Sequence, residues 1–116
     1  MPYRKVIVTG SLAFDQIMNF PGKFRDHILA DKLHVLNVSF LVDELRQEQG
    51  GTGGNIAYNL ALLGIKPTLV AAVGEDGQYY VDKLRRVGVD TSGVRIFKGE
   101  RMALGTVMTD KDDNKI

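Results

Sequence analysis

The chain has 116 residues and contains no cysteine and no tryptophan. The lack of cysteine excludes both a disulfide framework and a zinc site with thiolate ligands. The apolar run near the N-terminus, Val6-Ile7-Val8, stops before Gly10 and is too short for a signal-peptide core or a membrane span. We therefore expect a soluble cytoplasmic protein that has no membrane partner.

Neither sign of charge dominates the chain, because 15 basic residues face 14 acidic ones and the basic residues are scattered. This distribution lacks the basic patch that is typical of proteins with a nucleic-acid partner. His27 and His34 have no further metal ligand at a suitable spacing, so we predict no metal site in this sequence. A content of 44% hydrophobic and 25% charged residues is ordinary for one small globular domain.

Glycine, in contrast, is concentrated in one stretch, Gly50-Gly51-Thr52-Gly53-Gly54-Asn55. Apolar residues at helical spacing follow it, which predicts a helix over 54–63 with Gly64 as its C-terminal cap. Glycines let backbone N–H groups approach a ligand closely, and the start of a helix adds the positive end of its dipole. The Asn55 carboxamide can bind hydroxyl groups as donor and acceptor; alternatively, it caps the helix. The stretch predicts a ligand-binding loop.

The other elements are predicted from apolar runs, helical spacing and breakers. The predicted elements are strands at 5–9, around 33–40, at 68–73, 94–98 and 104–109, a helix that carries Tyr80, Leu84 and Val87 between a cap at Asp76 and a stop at Gly88, and a polar turn at 110–115. Residues 41–49 fit a helix turn or an exposed strand equally well. Strands that alternate with helices predict an α/β protein.

Asp15 is the first candidate for ligand binding, because it follows a predicted buried strand near the edge where open α/β sheets bind ligands. Its two carboxylate oxygens can accept hydrogen bonds from two vicinal hydroxyls, as in a ribose. The alternative is that Asp15 is one of the solvated acidic residues. Ser11, in the turn after the same strand, is a weaker candidate, since its hydroxyl could bond only to its own backbone.

The glycine-asparagine spacing resembles the first signature of the ribokinase (pfkB-type) family of sugar and nucleoside kinases. The matching positions are Gly51-Thr52-Gly53-Gly54-Asn55, Ala57, Gly64 and Gly74. Val8-Thr9-Gly10-Ser11 with Asp15 is similar to the family's first strand and its sugar-binding aspartate. Further stretches resemble the bacterial adenosine kinase branch; they are Phe20-Pro21-Gly22-Lys23-Phe24, Leu33-His34, Val38-Ser39-Phe40-Leu41-Val42-Asp43 and Thr109-Asp110-Lys111-Asp112-Asp113-Asn114.

This resemblance implies a ribokinase-like, three-layer α/β/α fold with a parallel sheet and a small β-lid formed by segments of about 14–50 and 94–110, with a strand within 41–49. It implies transfer of the γ-phosphate of ATP, with Mg²⁺, to the 5′-hydroxyl of a ribonucleoside such as adenosine. It also implies a homodimer that forms through the lid. The implied substrate-binding residues are Ser11, Asp15, Ser39, Gly51, Thr52 and Asn55.

The chain also departs from the family pattern. The second signature, which carries the catalytic aspartate, is absent, so we name no catalytic residue and expect the ATP and Mg²⁺ sites in a missing C-terminal part. We interpret residues 1–116 as the N-terminal part of a kinase, either a truncated chain or a gene fragment, that is inactive alone. Ala13 replaces a sugar-binding asparagine of the ribokinases, and no base-packing aromatic lies near Leu104-Gly105. The alternatives are a kinase of a sugar such as ribose or fructose, and a non-catalytic fragment that binds a ligand or self-associates.

Overall fold

A computed structural model of the chain describes residues 5–116. Its strands and α-helices, in chain order, are β1 (Ile7–Thr9), β2 (Ala13–Asn19), β3 (Glu44–Gly50), α1 (Thr52–Leu62), β4 (Thr68–Gly74), α2 (Gln78–Arg86), β5 (Asp90–Phe97) and β6 (Ala103–Thr109). Short 3₁₀ turns lie at Phe24–Asp26, Ala30–Lys32 and Glu75–Gly77. Within 5–116, no helix has the length and apolarity needed to cross a membrane.

The central sheet is parallel and has the strand order β1-β4-β5. Val8 of β1 is paired with Leu69 of β4, and Ala71 of β4 with Val94 of β5. The continuous apolar run of β4 is typical of a strand covered by other elements, and Leu69 is fully buried in it. The predicted strands at 5–9 and 68–73 are confirmed and share one sheet. However, β1 buries only Val8, while Ile7 is 61% exposed.

Helix α1 begins two residues before the predicted helix and ends where Gly64 predicts. Gly64 has a φ of 86°, and its N–H donates to the Ala61 carbonyl oxygen, as in a helix C-cap. The predicted apolar stripe does not face the core as a whole: Ala57 is fully buried, but Ile56 and Leu63 are 51% and 77% exposed. The helix is therefore anchored by small residues on the face that contacts β1 and β4.

Helix α2 buries Tyr80 and Leu84 as the spacing predicts, and the left-handed Gly88 follows its end. The predicted cap is wrong. No side chain caps α2, and its N-cap position is Gly77. The Asp76 carboxylate instead accepts a hydrogen bond of 2.8 Å from the Met102 N–H, because a loop distant in sequence returns to this point.

The second sheet has the order β3-β2-β6. Strands β3 and β6 confirm the strand implied within 41–49 and the one predicted at 104–109. The strand predicted around 33–40 is wrong, since this stretch has no strand pairing and Leu33, Val35 and Leu36 are all exposed. Residues 94–97, expected in a lid segment, lie in β5 and pair with β4 in the parallel sheet.

Contacts divide the chain into two compact units, which we call unit 1 and unit 2. Unit 1 contains the described residues up to Phe14 and Gln49–Leu104, and unit 2 contains Asp15–Glu48 and Gly105–Ile116. The main apolar core lies in unit 1; its buried members are Val8, Leu12, Phe14, Ala57, Leu69, Val73, Tyr80, Val81, Leu84, Val89 and Met102. Unit 2 has a smaller cluster in which the rings of Phe20, Phe24, His27 and Phe40 contact one another.

Candidate functional site

Ser11 lies in the turn after β1 and is bonded to the start of α1. Its hydroxyl oxygen accepts a hydrogen bond of 3.3 Å from the Thr52 N–H, and its carbonyl oxygen accepts one of 3.2 Å from the Gly54 N–H. The first N–H groups of a helix have no partner inside the helix, so Ser11 satisfies two of them. The alternative, in which the Ser11 hydroxyl bonds to its own backbone, is not observed, since the hydroxyl bonds to Thr52.

Two of the glycines are required by packing of protein against protein. A Cβ atom on Gly53 would lie 2.6 Å from the Gly10 carbonyl carbon, and a Cβ atom on Gly10 would lie 2.8 Å from the Gly53 nitrogen. Both distances are too short for real side chains, and both partners are backbone atoms that cannot rotate away. The helix therefore approaches the β1–β2 turn only because both residues are glycine.

Gly51 sets the direction of the chain at the start of α1. Its φ of 89° lies in the left-handed region, which favours glycine. Gly51 is the N-cap residue of α1, and its carbonyl oxygen accepts a 3.0 Å hydrogen bond from the Asn55 N–H. Thr52 then begins the helix. Asn55 thus lies in the first turn and is not the cap.

The Asn55 side chain is exposed, and its carboxamide makes no hydrogen bond within residues 5–116. It lines a cavity of about 190 Å³ in unit 1 together with Gln49, Tyr58 and Lys83. The Gln49 side-chain oxygen is buried without a hydrogen-bond partner in the described part of the chain. The Lys83 ammonium lies 5.6 Å from the centre of the Tyr58 ring. Amide groups and one cation therefore border this cavity.

A second cavity in unit 1, of about 280 Å³, lies at the carboxyl ends of the parallel strands. Its walls include Ser11 after β1, Gly74 at the end of β4, Phe97 at the end of β5, and Arg101 in the following loop. Open α/β sheets bind their ligands at this edge. Phe97 and Arg101 were not among the predicted site residues, and the sequence offers no signal for them beyond their place just after a predicted strand.

Asp15 belongs to unit 2, within β2, six residues beyond the end of β1. Asp15 therefore follows β1 in the chain, but the turn and the start of β2 lie between them. The Asp15 carboxylate is half-buried and makes no ion pair or hydrogen bond within residues 5–116. A Cβ atom on Gly105 of β6 would lie 3.1 Å from its Oδ1 atom. The carboxylate thus lies close to the Gly105 backbone, and a side chain at 105 would crowd it.

Ser39, also in unit 2, is exposed and lies in the irregular segment before β3. The lid strand on which the sequence placed it is not present. The structure therefore brings Ser11, Gly51, Thr52 and Asn55 together at the start of α1, whereas Asp15 and Ser39 lie in the other unit and not on one common strand.

Asp110 is a residue that the sequence treated only as the start of a polar turn. Its carboxylate is buried and accepts hydrogen bonds from the N–H groups of Phe24, Asp112 and Asn114 at 2.9 Å each. Burial raises the pKa of this carboxyl, but the hydrogen bonds from Phe24, Asn114 and Asp112 outweigh it and hold the pKa below its ordinary value of 3.8. Asp110 therefore stabilises unit 2, because its carboxylate is bonded to N–H groups of the protein.

No group of three or more histidine, cysteine, aspartate or glutamate side chains that could hold a metal ion occurs in the described range 5–116. The residues present therefore do not fit a Mg²⁺ site made by this chain alone.

Comparison with known proteins identifies the family. Residues 9–116 match the model of the pfkB family carbohydrate kinases. A nucleoside kinase of Methanothermobacter thermautotrophicus is 30% identical over 115 residues, which are 97% of this chain and 34% of the relative. The chain thus spans about a third of the length of this relative.

Solved structures agree with this family match. The Burkholderia thailandensis nucleoside kinase, solved in complex with inosine, is 39% identical with a TM-score of 0.78, over 96% of this chain and 35% of that one. The ribokinase of Cryptococcus neoformans, solved in complex with ADP, is 25% identical with a TM-score of 0.76, over 98% of this chain and 33% of that one. The predicted ribokinase-like α/β fold is thereby confirmed. The chain belongs to the pfkB family of carbohydrate kinases.

Proposed function

We propose that the chain is the N-terminal, substrate-binding part of an ATP-dependent kinase that phosphorylates the 5′-hydroxyl of a ribonucleoside, with adenosine as the first candidate. The observation that carries this proposal is the higher identity to a nucleoside kinase, 39%, than to a ribokinase, 25%, at nearly equal TM-scores. Because that nucleoside kinase was solved with inosine, inosine is the second candidate. Both candidates are purine nucleosides and share the ribose diol.

In this proposal, Asp15 binds the ribose. Its half-buried carboxylate has no partner within residues 5–116, so both oxygens can accept hydrogen bonds from ligand hydroxyls. Hydrogen bonds to a charged group are stronger than those between neutral groups. Asp15 is therefore proposed as the main determinant of affinity for a vicinal diol.

The start of α1 would provide the remaining contacts. The Asn55 carboxamide has no protein partner in the described range and can donate to one hydroxyl and accept from another. The Ser11 hydroxyl accepts from Thr52 but still has its own hydrogen to donate. Gly51 and Thr52 would contribute backbone groups at the helix N-terminus. Ser39 is proposed only from the family resemblance, because its exposed position has no contact that supports it.

Phosphoryl transfer needs a base at the acceptor hydroxyl and in-line placement of the phosphates with their metal. The described residues supply neither a metal site nor a residue that we can name as the base. The ATP that the family uses would supply the transferred phosphoryl group, and ADP is bound in the ribokinase relative. We propose that the ATP and Mg²⁺ sites belong to a C-terminal part beyond residue 116.

A sugar kinase is the second candidate function, because the ribokinase covers 98% of this chain at a TM-score of 0.76. A third candidate is a non-catalytic fragment that self-associates. Large apolar side chains are exposed along 29–41 of unit 2, namely Leu29, Leu33, Val35, Leu36 and Leu41. Exposed apolar patches of this kind often mark an interface, which supports the proposal of a homodimer through the lid.

The test is a phosphorylation assay of a full-length kinase that begins with this sequence, with ATP, Mg²⁺ and either adenosine, inosine, ribose or fructose. We expect a nucleoside 5′-monophosphate, identified by mass spectrometry and ³¹P NMR, and a higher kcat/KM for nucleosides than for sugars. The 116-residue chain, assayed in parallel, should transfer no phosphate. Transfer to sugars alone would replace the nucleoside proposal, and turnover by the short chain would overturn the assignment of chemistry to a C-terminal part.

A further inference from the structure

Tyr80 of α2 contacts the glycine stretch at two points within unit 1. The side chain is 3% exposed, and its hydroxyl donates a 2.7 Å hydrogen bond to the Gly50 carbonyl oxygen. A Cβ atom on Gly54 would collide with the same hydroxyl and would lie 2.9 Å from the ring carbon that carries it. The hydroxyl of Tyr80 thus touches Gly50, the last residue of β3, and Gly54, in the first turn of α1.

The Tyr80 ring also contacts the strand that leads to Asp15. Its ring stacks on Phe14, with 6.2 Å between ring centres and 24° between ring planes. Phe14 is buried and immediately precedes Asp15 in the chain. The ring and the hydroxyl of one residue therefore support two segments from which predicted substrate-binding groups extend.

We propose that Tyr80 is a positioning residue: its hydroxyl sets the conformation of Gly50–Asn55 and thereby the affinity for the nucleoside. The inference rests on the proposed function, and it assigns a role to a residue of α2 that is not among the predicted substrate-binding residues. A carbonyl oxygen buried without a partner is unfavourable, so the Gly50 carbonyl would reorient if the hydroxyl were removed. The next residue, Gly51, has a φ of 89°, a left-handed conformation that glycine adopts readily.

The same contact explains why residue 54 is glycine, because packing against Tyr80 alone leaves no room for a side chain there. The hydroxyl occupies the place of a side chain at 54, so Tyr80 and Gly54 should be energetically coupled. The substitution Gly54→Ala should lower the stability of the fold when residue 80 is tyrosine, and should lower it less in the Tyr80→Phe background. Residues in contact show such non-additive effects in double-mutant cycles.

The first test is steady-state kinetics of Tyr80→Phe in the full-length kinase. We expect the KM for adenosine to rise about tenfold, because a shift of the loop by a fraction of an ångström misplaces the substrate contacts. The KM for ATP should stay the same, whereas mere loss of folded protein would lower the apparent kcat and leave both KM values unchanged. Tyr79→Phe is the matched control, because Tyr79 is the preceding residue and is 68% exposed; it should change neither KM. A rise of both KM values by the same factor would overturn the proposal, as would no rise at all.

The second test needs no substrate. Hydrogen exchange of the Gly54 and Asn55 amides, which donate to Ser11 and Gly51, should accelerate about tenfold in Tyr80→Phe, while Tyr79→Phe should not affect it. Unchanged exchange at these amides would overturn the positioning role even if activity changed. If the wild-type kinase phosphorylates no nucleoside, the proposed function is wrong, and the exchange rates still decide whether Tyr80 holds the loop.

The third test is the double-mutant cycle of Tyr80 and Gly54, measured as free energies of unfolding. Equal effects of Gly54→Ala in the wild-type and Tyr80→Phe backgrounds would contradict the coupling.

Discussion

Unit 1 and unit 2 are stabilised by different means. In unit 1, buried apolar side chains of both helices and the parallel sheet form one cluster, and glycines allow backbone segments to touch. In unit 2, the buried groups are a small aromatic cluster and the Asp110 carboxylate with its amide donors. Its segment 29–41 leaves most of its large apolar side chains exposed.

This difference separates the two kinds of predicted site residue. Ser11 and Thr52 of unit 1 are joined by a hydrogen bond, and the neighbouring glycines Gly10, Gly51 and Gly53 have no room for a Cβ atom. Asp15 of unit 2 is half-buried, and its carboxylate has no partner in the described part of the chain. Substitutions in unit 1 should therefore act mainly through packing, whereas substitutions in unit 2 should act through charge, hydrogen bonds and surface association.

The largest effect is expected for Gly53→Ala in unit 1. Overpacking typically costs about 1–3 kcal/mol, and we expect about 3 kcal/mol because the Cβ atom would meet backbone atoms of Gly10 at 2.6 Å. The measurement is the free energy of unfolding from urea denaturation. Gly99→Ala is the control: its Cβ atom has open space, so only the left-handed φ of 84° is unfavourable, at about 1 kcal/mol. Equal losses for the two variants would show that backbone contact at 53 is not the constraint.

Asp15→Ala should leave the fold intact and weaken adenosine binding to the full-length kinase by about 1.5–3 kcal/mol, the scale of a hydrogen bond to a charged group. This corresponds to about tenfold to a hundredfold in affinity. Asn55→Ala should cause a smaller loss of the same kind. Isothermal titration calorimetry measures both, and Asp43→Ala provides a control from an exposed aspartate of unit 2. Unchanged affinity in the Asp15 variant would remove this residue from the site and leave the family assignment intact.

Asp110→Asn should destabilise unit 2 in a pH-dependent way. The hydrogen bonds hold the pKa of Asp110 below its ordinary value of 3.8 in the folded chain, so the carboxylate stabilises the fold above that value. This stabilisation is lost as the pH falls through the lowered pKa. The stability difference between wild type and Asp110→Asn should therefore be largest near neutral pH and shrink at acidic pH. Thermal unfolding between about pH 3 and 7, a range that brackets the ordinary pKa of 3.8 for this carboxyl, measures this. A constant difference would contradict the assignment.

The elements that the sequence predicted correctly are those whose signals are local. The run at β4, the spacing in α2 and the position of Gly64 depend on neighbouring residues only, and the structure confirms them. The strand predicted around 33–40 is wrong because apolar residues alone do not provide a partner strand. The cap predicted at Asp76 is wrong because Met102, distant in the chain, takes the carboxylate.

The candidate site was predictable to a similar degree. The signature at 51–55 located the start of α1, but it could not reveal that Gly53 and Gly54 are required by Gly10 and Tyr80. Such contacts join residues that are tens of positions apart, and a single sequence carries no signal for them. The roles of Asp15, Asn55 and Ser39 in binding stay predictions.

The smallest effect on stability is expected for Leu41→Ser in unit 2, which should change the free energy of unfolding by less than about 0.5 kcal/mol. Leu41 is 87% exposed, so its removal from the surface breaks no buried contact. If the apolar side chains of 29–41 form the proposed dimer interface, the same substitution should shift the chain toward the monomer in size-exclusion chromatography with light scattering. Leu63→Ser is the matched control from unit 1, since Leu63 is 77% exposed on α1. Dissociation by Leu63→Ser alone would move the interface to α1, and a wild-type chain that is monomeric at every concentration would exclude the dimer.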